Sequence, residues 1–207
     1  MLARVSRAGD LKTAETFISA GIDPNLTDRY GRTPLYYAAL FNRNEIAALL
    51  LAHEADPNTG ASSQAPGSEF PQTPLQIAAS MGNLRIASML VAAGAQVGAR
   101  TATGREALHF AAVGNHLDVI RLLIEKGADV NTRDAHGVSP LDDAVWRGHL
   151  EATAILLAKG ARLTKPKRKL ELLQSTKLPT VAKRSSFTTC FNSVRISQFQ
   201  TDEGTRP

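Results

Sequence analysis

The chain has 207 residues, 43% of them hydrophobic, with one cysteine and a formal net charge of +5. That content can bury a core, a lone cysteine excludes an intrachain disulfide and suits a reducing compartment, and no apolar run nears the roughly 20 residues of a membrane span, so a soluble protein is expected. Residues 1–163 carry 15 Lys and Arg against 16 Asp and Glu while residues 164–207 carry 9 against 3, so the body lacks the cationic surplus of a nucleic-acid footprint.

At the N-terminus, MLARVSRAGD puts Gly9 and Asp10 where a secretory signal would need apolar residues. The chain then aligns with itself. TPLYYAALFNRN at Thr33, TPLQIAASMGN at Thr73, EALHFAAVGNH at Glu106 and SPLDDAVWRGH at Ser139 follow at spacings of 40, 33 and 33. The long interval contains NTGASSQAPGSEFPQ, whose Gly, Ser and Pro mark a loop that takes up seven extra residues. Carrying the period back from Thr33 puts Leu2 in register with Leu35 and Gly21 with Glu54. The expected organisation is a truncated unit over 1–28, units over 29–60, 68–100, 101–133 and 134–163 with an inserted loop at 61–67, and a tail over 164–207.

Each unit has a physical logic. Thr or Ser followed by Pro is an N-cap and first-turn pair, the hydroxyl satisfying a free N–H and the ring fixing a helical φ. Leu35, Leu75, Leu108 and Leu141 anchor a short helix, and Ala38-Ala39, Ala78-Ala79 and Ala111-Ala112 let neighbouring helices approach closely. Gly9, Asn42, Gly82, Asn115 and Gly148 form the column that ends this helix in a left-handed turn. A second helix shows apolar spacing of i, i+3, i+4, as in Ile86, Met89, Leu90 and Val119, Leu122, Leu123. It stops at Gly21, Gly94, Gly127 and Gly160. Glu54 breaks that column, so a less regular helix end is expected there.

The period, the T/S-P-L column and the string GADVN at 127–131, with its variants GIDPN, EADPN and GAQVG, resemble the ankyrin repeat over about residues 1–163. The resemblance implies an all-α solenoid of stacked antiparallel helix pairs joined by β-turn fingers. It also implies a non-catalytic scaffold or adaptor binding another protein on the finger tips and the outward side of each first helix. Residues falling in those columns are Arg29, Tyr30, Arg32, Leu40, Phe41, Phe70, Met81, Arg105, His136, Trp146 and Arg147. Aromatic and apolar residues mixed with arginine have the composition of interface hot spots. Within LYYAALF, Leu35, Tyr37, Ala38 and Ala39 are assigned to the core, Leu40 and Phe41 to the outside. Tyr36 stands in the family's histidine column, where its hydroxyl is expected to take over the imidazole's bond to the turn.

Chemistry-bearing motifs are scarce. Asp142 and Asp143 replace the usual His and apolar residue; adjacent helical residues point about 100° apart, so they are read as a solvated end of the array and not an acid–base pair. His109 matches the family's TPLH histidine, which bonds the turn backbone. His116 and His149 share a column and would line up across helices, but no Cys or carboxylate column accompanies them, so no metal is expected. No GxSxG, HExxH, paired CxxC or phosphate-cradling loop occurs, and neither a catalytic site nor a cofactor is expected.

Beyond Thr164 the pattern stops. A short helix over 166–176, with Leu170, Leu172 and Leu173, is expected to cap the last unit, since terminal units of a solenoid need cover. Twelve Ser or Thr among 44 residues point to disorder beyond it. Lys165 to Lys169 resembles a nuclear import signal, and Ser185 and Ser186 follow a Lys-Arg pair as modification candidates. An intracellular monomer with a protein partner is expected, cytoplasmic or nuclear. The competing reading is a nuclear regulator whose tail supplies import or nucleic-acid contact.

Overall fold

Ten short helices and no strand make up the described residues, 1–60 and 72–163, of the computed structural model. The expected loop at 61–67, Glu69, Phe70, and the tail with its capping helix and basic run lie outside the described residues. First helices of the units are α1 (Leu2–Ala8), α3 (Pro34–Leu40), α5 (Pro74–Met81), α7 (Ala107–Val113) and α9 (Pro140–Arg147). Second helices are α2 (Leu11–Ser19), α4 (Asn44–Ala52), α6 (Leu84–Ala92), α8 (Leu117–Glu125) and α10 (Leu150–Ala158). Each odd helix packs on its even partner, on the odd helices before and after it, and each even helix packs likewise within its own row.

The caps act as their side chains dictate. Thr33 and Ser139 accept the N–H of Tyr36 and Asp142, and Thr73 forms a full capping box with Gln76, whose side-chain oxygen takes the Thr73 N–H at 2.9 Å. Where Glu106 replaces the hydroxyl residue, His109 supplies the reciprocal bond, its Nδ1 accepting the Glu106 N–H at 3.1 Å. The leucine column Leu35, Leu75, Leu108, Leu141 is buried, as are the facing columns Ile46, Ile86, Val119 and Leu50, Leu90, Leu123, Leu156. Each such side chain contributes about 1.5–3 kcal/mol by leaving water. The paired alanines of α3, α5 and α7 have no exposed surface, which is what lets the odd helices stack at short range.

At Glu54 the structure refines the expectation. Glu54 adopts φ 61°, so a non-glycine residue occupies the left-handed step and α4 keeps nine residues like α2, α6, α8 and α10. The irregularity is confined to one bond. His53 N–H donates to Leu50 O, three residues back, whereas Ala20, Ala93 and Lys126 reach the carbonyl four residues back.

Three side-chain systems stitch successive units. Asn25 accepts the Asp56 N–H at 2.8 Å and donates toward Glu54 O; Asn58 does the same to Gln96 and Gly94, and Asn131 to Arg162 and Gly160. The residues that open the even helices reach back to the preceding odd helix: Asn83 donates to Ala39 O at 2.7 Å, His116 Nε2 contacts Ser80 O at 2.9 Å, and His149 Nε2 contacts Val113 O at 3.0 Å. The two histidines therefore serve separate carbonyls and do not form a site together. Gly82, at φ 71°, accommodates the His116 ring, which would lie 2.4 Å from a Cβ at that position. Thirdly, side chains of the TPLH column bridge to the next finger, Gln76 donating to Ala99 O at 2.7 Å and His109 Nε2 meeting Val138 O at 3.1 Å.

Candidate partner-binding face

Fingers form where Asp, Gly and a polar residue close a tight turn. Asp28 N–H donates to Arg32 O, Thr101 N–H to Arg105 O, and Asp134 N–H to Val138 O, each at 2.9–3.0 Å, and the next finger joins through Ala135 N–H to Thr103 O. Gly31, Gly104 and Gly137 take the left-handed position. The fingers lead into the odd helices, and in the 29–60 unit Tyr37 ties finger and helix end to one side, its hydroxyl on Asp28 and its ring on Phe41.

At the N-terminal end of this side, arginines and rings interleave. The Arg29 and Arg32 guanidinium carbons lie 4.7 and 5.2 Å from the Tyr30 ring centre, and Arg32 is 5.7 Å from that of Tyr36. Tyr37 stacks on Phe41 at 6.4 Å, and Arg7 covers Phe41 at 5.6 Å. Asp28 holds the base of the cluster, accepting from Tyr30 N, Arg32 N and the Tyr37 hydroxyl at 2.7–3.0 Å. Those bonds keep its carboxyl below the usual range although burial opposes them, and burial raises both buried tyrosines. The Tyr36 ring packs edge-on against Tyr37 at 5.7 Å, and most of the turn that its hydroxyl was expected to bond lies within 61–71, outside the described residues.

Further along, Phe41, Met81 and Trp146 are 39%, 46% and 47% exposed, whereas Leu40 is half-buried against the core. His136 and Arg147 are exposed. Arg105 differs from the other finger arginines: its guanidinium pairs with Asp143 and lies 5.4 Å from the Phe110 ring centre. Asp142 and Asp143 are each only 7% exposed, which overturns the solvated reading. Asp142 accepts the Ser139 N–H and hydroxyl at 2.9 and 2.6 Å, while burial raises the Asp143 carboxyl to about 6 against the pull of Arg105. The two side chains thus have different partners, as their angular separation requires. Burial likewise lowers His109 and raises Glu106, whose carboxylate accepts from the Thr132 hydroxyl. Arg7 stands in the same outward column as Leu40 and Trp146, and its guanidinium over Phe41 fits that place.

Among the described residues no group of three His, Cys, Asp or Glu is placed to hold a metal ion, and no helix is long and apolar enough to cross a membrane. A pocket among the described residues is lined by Met1, Leu2, Ala3, Ile22, Leu26, Thr27 and Asp28.

Paired helices in two rows, bridged by hydrogen-bonded fingers, define a helical-repeat solenoid. The chain belongs to the ankyrin-repeat family: the family model described as ankyrin repeats, in three copies, matches residues 1–101 and 98–167. It is 37% identical over 57 residues to the rat cyclin-dependent kinase 4 inhibitor B, a stretch covering 28% of this chain and 43% of that protein, and the mouse protein matches equally. An ankyrin and IPT/TIG repeat-containing protein of Schizosaccharomyces pombe is 40% identical over 67 residues, covering 31% of this chain and 6% of its own length. The chain thus spans less than half the length of these relatives.

Proposed function

We propose that this chain is a non-catalytic binding module for another protein, engaged along the finger tips and odd-helix ends. The observation that carries the reading is the exposure of Phe41, Met81 and Trp146 in these columns, with Arg7 over the Phe41 ring. A phenyl, a thioether and an indole exposed in the columns that the family uses for contact have the composition of interface hot spots. The relatives named as inhibitors of cyclin-dependent kinase 4 make a protein kinase the first partner class to try. The test is a pull-down with the full chain against Phe41→Ala and Trp146→Ala variants whose melting curves match the parent. Partners captured by the parent and lost from both variants support this face; equal capture by all three removes it.

A nuclear regulatory role is the second reading, motivated by the 9 basic against 3 acidic residues of 164–207. Deleting that segment should then alter localisation or weaken salt-sensitive nucleic-acid binding. No change in either eliminates the reading.

A further inference from the structure

The described body is close to neutral by composition, but its charges are sorted. Every carboxylate between a finger and the end of its odd helix, among the described residues, is drawn inward or tied down. Glu106, Asp134, Asp142 and Asp143 are buried, and half-buried Asp28 holds three hydrogen bonds. Asp134 spends its oxygen on the N–H groups of His136 and Val138, and Asp143 faces Arg105. Among the cations of the same side Arg7, Arg29 and Arg147 are exposed, while Arg32 and Arg105 are half-buried. The even-helix row is mixed instead, with Glu15, Glu45, Asp118, Glu125 and Glu151 exposed beside the equally exposed Lys12, Arg85, Arg121, Lys126 and Lys159. Although 1–163 carries 15 basic and 16 acidic residues, the stretches from finger to odd-helix end, here the front, thus expose arginines and, among the described residues, no carboxylate.

We infer that the partner docks on the front through an acidic segment bearing a large apolar or aromatic anchor, its carboxylates meeting Arg7, Arg29 and Arg147 and its anchor meeting Phe41, Met81 or Trp146. This rests on the binding-face reading above and adds the partner's chemistry to it. Opposed potentials steer encounter and reject basic competitors, while the exposed rings supply the contact that holds.

The experiment pans a random peptide display library on the immobilised full chain, then measures selected peptides, labelled with fluorescein, by anisotropy. Two charge-matched triple variants are compared: R7E/R29E/R147E on the front, and K12E/R85E/R121E on the even-helix row. Asp- and Glu-rich peptides around an aromatic or aliphatic residue are expected. Their affinity should fall about tenfold or more on the front triple and less than about twofold on the rear triple, and should weaken with salt. Enrichment of neutral or basic peptides, or equal losses on the two triples, overturns the inference. Tighter binding of short duplex DNA than of any selected peptide, abolished by the front triple, also overturns it, in favour of a nucleic-acid surface. Binding lost in Phe41→Ala and Trp146→Ala but retained in the front triple defeats the acidic partner alone; binding retained in all of these variants defeats the face itself.

Discussion

Gly98 stands where Asn25, Asn58 and Asn131 clamp one unit to the next, so the interface between units 68–100 and 101–133 lacks a bridge that its neighbours possess. Replacing Gly98 with Asn should add it. The backbone there is outside the left-handed region and a Cβ meets nothing within 4 Å, so the side chain enters without strain. By the register of Asn25 and Asn131, the new amide would accept the Asp129 N–H and donate to Gly127 O. Two exposed hydrogen bonds contribute about 0.5 kcal/mol each, at the low end of the usual range. Removing a glycine from the unfolded chain adds roughly 0.4–1 kcal/mol, and ordering the amide side chain offsets about half a kcal/mol. A net gain of about 1 kcal/mol follows, seen as a raised urea midpoint at unchanged slope and a melting temperature higher by about 2–4 °C. The reciprocal variant, Asn131→Gly, should lose about as much. If Asn131→Gly costs about 1 kcal/mol while Gly98→Asn gains nothing, the clamps are real but the columns are not equivalent, and the reasoning fails.

Glu54→Gly should stabilise the chain by about 1 kcal/mol in the same urea assay, because φ 61° costs a residue with a Cβ what it does not cost glycine; an unchanged midpoint refutes the strain. Asp143 gives a pH dependence of definite sign. Its folded carboxyl titrates near 6 against an ordinary value of 3.8, so the native state holds more protons between those values. Stability from this group is therefore greatest below about pH 4, falls by about 3 kcal/mol as pH rises to 6, and is flat above. Urea melts of the parent and of Asp143→Asn, taken across that window, should differ by this slope; parallel curves refute it. The difference is the useful quantity because Glu106 acts in the same sense while Asp28 and Asp56 act in the opposite one.

The repeat, its caps and its helix-ending turns were legible because each is local: a hydroxyl three residues before the N–H it binds, a glycine where the backbone turns left-handed. His109 could be placed for the same reason once its column was known. What escaped depended on residues a full unit away. The burial of Asp143 hangs on Arg105, and His116 and His149 are fixed by carbonyls 36 residues upstream. The face itself was legible only as composition; the separation of its carboxylates from its arginines appears once their side chains are placed.

The clamps on either side of residues 61–71 have one more consequence. Asn58 reaches Gly94 and Gln96, and Asn83 reaches back to Ala39, so both spans close the register around that stretch without any need for a fixed number of residues within it. Gly60 and Gln72 meet backbone to backbone, a Cβ on Gly60 running into the Gln72 carbonyl oxygen, so the bracketing residues are held side by side by contacts among described residues. Because closure cost grows only logarithmically with added residues, lengthening the loop expected at 61–67 should leave the melting temperature nearly unchanged.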